Sequence, residues 1–292
     1  QTEQLSPLSS RPTYTETEND LTVKANKRTF IFSKKDGQLK GVSVDNRKIN
    51  FANGPRFIGA RRADRSLDQF YNHDDEKAKE KDRTYSEFSD AAVFTKLDVK
   101  EDGGNLVVTA NYKLGNLDKA QWTINPSGEL ALDYTYNFSG AVDLMGIRFD
   151  YPEDQVISKR WLGAGPYRVW QNRIHGTQYD VWENDYNDPI PGETFTYPEF
   201  KGYFGDVSWM NIQTKEGTIS LTNETPDTYI GVYQPRDGRD RLLYTLPESG
   251  ISVLNVIPPV RNKVNSTDLC GPSSQPKWVN GPQTGRVIFR FM

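Results

Sequence analysis

Runs of alternating apolar and polar residues, each closed by Gly, Asp, Asn or Pro, follow one another through most of the chain. LTVKA and RTFIFSK open the series, and Asp36-Gly37 then separates TFIFSK from LKGVSVD, a dipeptide suited to the tight turn of a hairpin. FTKLDVK, the turn EDGG, NLVVTANYK, KAQWTI, the turn NPSG and ELALDYTYNF continue it as two consecutive hairpins. GTISLTN, TYIGVYQP, SVLNVIPP and GRVIFRF complete the set, while FANGPRFIGARR (51–62) reads as a crossing segment broken by Gly and Pro. A period of two places successive side chains on opposite faces, so each run makes a half-buried strand. No amphipathic segment is long enough to supply crossover helices, and the expected class is all-β and antiparallel.

Length and charge narrow the alternatives. With 292 residues the chain can bury a large core, and one domain over 21–292 is expected after a Ser/Thr/Pro/Glu-rich tether at 1–20. Lys and Arg number 36 against 39 Asp and Glu, so no basic excess exists to neutralise a phosphate backbone, and nucleic acid is not an expected partner. Mean hydropathy is −0.73 and no run of apolar residues is long enough for a membrane span. Cys270 is the single cysteine, which excludes an intrachain disulfide and a thiolate-rich metal site but leaves the compartment open. The chain begins at Gln1 without a charged-then-apolar leader, which reads as a processed or truncated product; its localisation stays unknown, with a secreted or periplasmic one favoured. In NHDDEKAKEKDR (72–83) acidic residues precede basic ones, the order a short helix dipole prefers, with Asn72 as its cap. Calcium is not expected there, because the DxDxDG spacing with a terminal Glu is missing, and His73 reads as a surface histidine.

The stretch from Arg160 to Trp209 departs from this pattern. It holds four of the six tryptophans, and 12 of its 50 residues are Trp, Tyr or Phe. Arg168, Arg173, His175, Glu183, Glu193, Glu199 and Lys201 are interleaved among the rings, Trp182 included, and among Gly-Pro, Asp-Pro, Pro-Gly and Tyr-Pro steps. Flat rings with interleaved polar groups suit a sugar, whose hydroxyls need bidentate partners and whose apolar face needs a ring beneath it. The alternative is an aromatic-rich corner of the core, because aromatics are more often buried for packing than for ligands. No GxSxG, HExxH, P-loop or GxGxxG motif is present, and spacing alone selects no pair of carboxylates for glycoside hydrolysis. No catalytic residue, metal or cofactor is therefore assigned.

WLGAGPYRVWQNR (161–173) resembles the W-x-G-x-G-P-x-E-x-Y-x-D-R segment in the C-terminal domain of family 2 glycoside hydrolases of the β-galactosidase type. TYPEFKGYFGDVSW (196–209), TFIFSKKDGQLKGVSVDNRKI, NGPRFIGARRADRS and LCGPSSQPKW (269–278) are similar to further segments of that family in the same order. Arg168 and Trp170 stand where the family has Glu and Tyr, and Asn172 where Asp is usual; Pro166, Arg173, Glu199, Gly202 and Trp278 match by identity. The resemblance implies a large antiparallel two-sheet supersandwich of the galactose-mutarotase-like type. It further implies a carbohydrate partner and a catalytic barrel upstream in the same full-length protein, so the chain alone is expected not to hydrolyse glycosides. In the family the late Trp stacks on the sugar in the barrel's active site, which makes Trp278 the leading binding residue, with Arg173, His175, Trp182, Glu199 and Lys201 beside it. CGPSSQPKWVNGP lacks alternation and carries three prolines, so Trp278 is expected on an exposed loop and not within a central strand. Two further readings remain open: an aldose 1-epimerase using His175 with Glu199 or Glu183, and a non-catalytic carbohydrate-binding module.

Overall fold

The structure, a computed structural model, describes residues 10–62, 85–88, 90–186, 201–232, 246–260 and 271–292. The expected helix at 72–83 lies outside the described residues, and among the described ones every extended element is a strand.

The larger sheet begins with β1 (Thr13–Glu16), β2 (Asp20–Ala25), β3 (Arg28–Ser33), β4 (Leu39–Val44), β5 (Arg47–Ile49), β6 (Ala52–Arg62) and β7 (Tyr85–Glu87). The chain then crosses to the smaller sheet for the meander of β8 (Val93–Asp102), β9 (Asn105–Lys113), β10 (Leu117–Ile124) and β11 (Leu130–Val142). It returns with β12 (Leu144–Asp150), crosses for β13 (Val156–Gly165) and β14 (Gln178–Asp185), and places β15 (Phe204–Gly205) on the larger sheet. Then β16 (Trp209–Thr214) and β17 (Gly217–Asn223) join the smaller sheet, β18 (Tyr229–Gly231) and β19 (Ile251–Val256) the larger, and β20 (Lys277–Phe291) the smaller. The path of the larger sheet is β1-β2-β3-β4-β6-β12-β19-β18-β15, and that of the smaller is β14-β13-β16-β17-β20-β11-β10-β9-β8. Every paired strand named here is antiparallel to its neighbour, as the successive hairpins predict.

The alternation seen in the sequence becomes the inner faces of the sandwich. Phe32 meets Trp122 at 5.9 Å, and Phe51 stacks on Phe149 at 4.7 Å and meets Phe289 at 5.0 Å, so both sheets contribute rings to one layer. The NPSG turn closes through Asn125, whose Oδ1 accepts from the amides of Ser127 and Glu129, both at 3.0 Å. Gly128 there takes φ +81°, a conformation that costs other residues a Cβ clash.

Two expectations need correction. The stretch read as a tether contains β1, which pairs with β2 along all four of its residues, so ordered pairing starts before the alternation does. The crossing segment at 51–62 is largely β6, a central strand. Pro55 is tolerated because the register against β12 shifts between Arg56 and Ala52, an irregularity where a missing N–H removes no ladder bond. The strand escapes notice because it is covered on both faces and does not alternate. Phe57 belongs to the layer between the sheets, whereas Ile58 and Ala60 join Leu144, Leu254, Val169, Trp170 and Tyr203 in a second cluster on the outer side of the larger sheet.

Burial in these layers sets a limit at high pH. Desolvation pushes the phenols of Tyr134, Tyr136 and Tyr203 above their ordinary 10.0, and Tyr134 adds to the effect at Tyr136. The neutral phenol is the form the fold accepts, so the unfolded chain loses these protons first. Their contribution to stability is complete below pH 10 and falls as pH rises above it. Phenolate absorbance from the buried tyrosines should therefore appear together with loss of near-ultraviolet circular dichroism above that pH. Ionisation of the full tyrosine complement in a still-folded chain would contradict the burial.

Candidate carbohydrate-facing site

Trp278 is 74% exposed, the most open large apolar side chain among the described residues. It stands on β20 and not on a loop, paired across from Ala141 of β11. The prolines do not prevent this, because only Val287–Phe291 of β20 pair with β17, while Lys277–Arg286 pair with β11 alone. The first two thirds of β20 thus form a local sheet edge, where Pro282 is accommodated opposite Asn137. Val279 points inward and is 8% exposed, so the alternating neighbours Trp278 and Asn280 point out. Ser139 Oγ donates to Asn280 Oδ1 at 3.1 Å across the same outward row.

The segment before Trp278 is fastened to the aromatic stretch. Gln171 Nε2 donates to the Gln275 carbonyl at 2.9 Å, and Asn172 Nδ2 donates to the Val260 carbonyl at 2.8 Å and to Ser274 Oγ at 3.3 Å. Asn172 Oδ1 in turn accepts from the Val260 amide at 2.8 Å. This reading of both a carbonyl and an amide requires the donor that Asp lacks, which explains Asn at a position where the related segment carries Asp. Arg173 follows directly, exposed on a turn closed by its own amide donating to the Trp170 carbonyl at 2.8 Å. His175 is also exposed, and its carbonyl accepts from the Tyr167 hydroxyl at 3.0 Å. The turn that carries Arg173 is thus tied to the segment that leads to Trp278, and His175 lies two residues further along that exposed rim.

The remaining expected residues lie elsewhere. Trp182 is half-buried against the core, with Nε1 donating to the Gln178 carbonyl at 3.2 Å and its ring occupying the space a Cβ on Gly165 would need. Lys201 is 6% exposed and is not presented to an external ligand, because it enters the buried run that continues through Phe204. Glu199 lies outside the described residues. Trp161, Trp170, Tyr203 and Phe204 are all buried, so these four rings of the aromatic stretch are core. Arg168 and Trp170 pack as well: the Arg168 guanidinium lies 5.9 Å from the Phe204 ring centre, and Trp170 meets Tyr203 edge-on at 5.8 Å. Glu183 forms an exposed 3.9 Å ion pair with Arg160 on the neighbouring strand. His175 precedes β14 by three residues, and Glu183 lies within that strand. Among the described residues no helix is long and apolar enough to cross a membrane, and no three His, Cys, Asp or Glu side chains form a metal-sized group.

A family model described as the β-galactosidase small chain matches residues 24–258. The chain belongs to the β-galactosidase small chain family. The match takes in the stitched turn at 170–173 and ends at residue 258, so Trp278 lies outside it. No curated protein sequence matches the chain. Among solved structures, galactose 1-epimerase from Lactobacillus acidophilus NCFM aligns over 97% of this chain and 99% of its own, with a TM-score of 0.51 and 9% identity. An aldose epimerase homologue from C. elegans aligns over 92% of this chain and 97% of its own, with a TM-score of 0.37 and 6% identity. The epimerase alignment shows that the small-chain family member has the galactose-mutarotase-like fold that its family resemblance implies, and at this identity it carries nothing about activity.

Proposed function

We propose that this small-chain domain completes the sugar site of a β-galactosidase-type glycoside hydrolase, presenting Trp278 to a saccharide held mainly by a catalytic barrel elsewhere in the full-length protein. The observation that carries the reading is a tryptophan 74% exposed on a paired strand. An indole this exposed among the described residues is a surface feature fitted for contact with something else, and strand pairing fixes the ring's direction. Arg173 and His175 on the adjoining rim add hydrogen-bonding groups, and the family match supports a sugar as the contact.

Stacking of one ring on one sugar face is worth on the order of 1 kcal/mol beyond area burial, about fivefold in affinity. Trp278→Ala in the full-length enzyme should therefore raise KM for lactose by about that factor. Its melting temperature should stay near that of the unmodified enzyme, because exposed substitutions usually change stability by no more than ~0.5 kcal/mol. A large loss of stability with an unchanged KM would mean that Trp278 is a packing residue and would remove the basis of the proposal.

A further inference from the structure

Among the described residues the outer face of the larger sheet is covered only in part. Facing positions on β6 and β12 pair Ala60 with Leu144, Ile58 with Gly146, and Arg56 with Arg148. The first two rows lie under the second apolar cluster, and the third is a pair of facing arginines at the boundary of that cover. Along the other edge of β6 the ladder is split: β4 pairs only at Gly54 and β7 only from Ala60 to Arg62. Through this split open two clefts of about 720 and 620 Å³, both lined by Arg56 and Arg148. Each volume falls in the range of small-molecule sites, about 300–1,000 Å³.

Both arginines are held in place but not used up. Arg56 bonds Asp150 through Nη2, which leaves its Nη1 donors for the cleft. Arg148 reaches Glu87 at 3.0 Å and the Glu248 carbonyl. Nε of each arginine and the hydroxyl of Tyr112 are buried without a hydrogen-bond partner. A fold leaves three such donors around one cleft at a cost, and their clustering marks a place under a demand other than packing. The wall opposite is aromatic: Phe57, Phe88, Phe94 and Tyr112 line the larger cleft, with Phe94 edge-on to Tyr112 at 6.0 Å. Among the described residues the two clefts together are lined by five Lys or Arg and five Asp or Glu, so the groove carries no net charge.

We infer that this groove is a binding site for an uncharged oligosaccharide, separate from Trp278. Ring faces accept the apolar faces of successive sugars, and guanidinium and carboxylate groups supply paired donors and acceptors for hydroxyls. Because its cations and carboxylates balance, the groove offers no net positive charge to hold a carboxylated or sulfated glycan, and a single apolar ligand would leave the Arg56 and Arg148 donors unpaired. Two clefts that share Arg56 and Arg148 suit several linked sugars better than one.

Titration calorimetry of the chain with galactotetraose, cellotetraose and tetragalacturonic acid tests this. Saturable binding is expected for at least one neutral tetrasaccharide and weaker binding for the acid. Arg56→Gln should weaken the neutral ligand about fivefold, the worth of one hydrogen bond. That variant loses a half-exposed ion pair of small value, so it should melt close to the unmodified chain. Trp278→Ala should leave this binding unchanged, which separates the groove from the site proposed above. Absence of saturable binding by both neutral probes, tighter binding of the acid, or an Arg56→Gln chain that binds as well as the original would each overturn the inference.

Discussion

Trp161→Ala is expected to destabilise the chain by about 4 kcal/mol, within the range for removal of a large buried aromatic. Trp161 is 0% exposed, meets Phe204 edge-on at 4.9 Å and 72°, and donates through Nε1 to the Ala164 carbonyl at 3.1 Å. Its strand β13 is paired on both sides, with β14 and β16, so the cavity cannot be relieved by movement of a free edge. Trp161→Phe should lose less, because it retains most of the apolar contact and gives up the indole hydrogen bond. Denaturant unfolding of the two variants beside Trp278→Ala makes the comparison direct. A loss of no more than about 0.5 kcal/mol for Trp161→Ala would place the ring at a surface, since that is the ordinary size of an exposed change.

The contrast between these two tryptophans bears on what a sequence of this kind discloses. Strands such as β9, β10 and β11 are legible because one face is buried and the other is half-open, which writes a period of two directly into the residues. β6 is not legible, because its central residues are covered on both faces by different clusters and its Gly and Pro resemble a breaker. The aromatic stretch was open to two readings for a related reason: ring density reports burial or binding equally well, and only the topology, which wraps Trp170 and Tyr203 onto the outer side of the larger sheet, decides for burial there. Trp278 came forward through its resemblance to a family segment, and its exposure fits that role even though the expected loop is a strand edge. The groove left no trace at all. Arg56 and its partner Asp150 are 94 positions apart, and the Arg56–Arg148 pairing exists only through strand register, which no local spacing rule contains.

Gly146→Ala is the second change expected to be severe, at about 3 kcal/mol, the upper part of the usual range for overpacking. Gly146 lies on β12, between β6 and β19, where the register against β19 shifts at Met145/Gly146 and draws the two backbones together. A Cβ there would sit 2.2 Å from the Val253 carbonyl oxygen and 2.6 Å from Leu254 Cα. Both atoms belong to backbone, so no side-chain rotation relieves the clash, and β19 is itself held by β18 on its far edge. The strands must separate or the local ladder must break, and either response displaces the row that carries Arg148 two residues later. Gly41→Ala on β4 provides the control, because a Cβ at that position meets nothing within 4 Å. There the methyl group should be neutral or slightly stabilising, since alanine has less backbone freedom to lose on folding. Paired urea titrations of the two variants should show a large drop for Gly146→Ala and none for Gly41→Ala. Equal stabilities would mean that β12 and β19 are not in close backbone contact at Gly146, and the central register of the larger sheet would have to be redrawn.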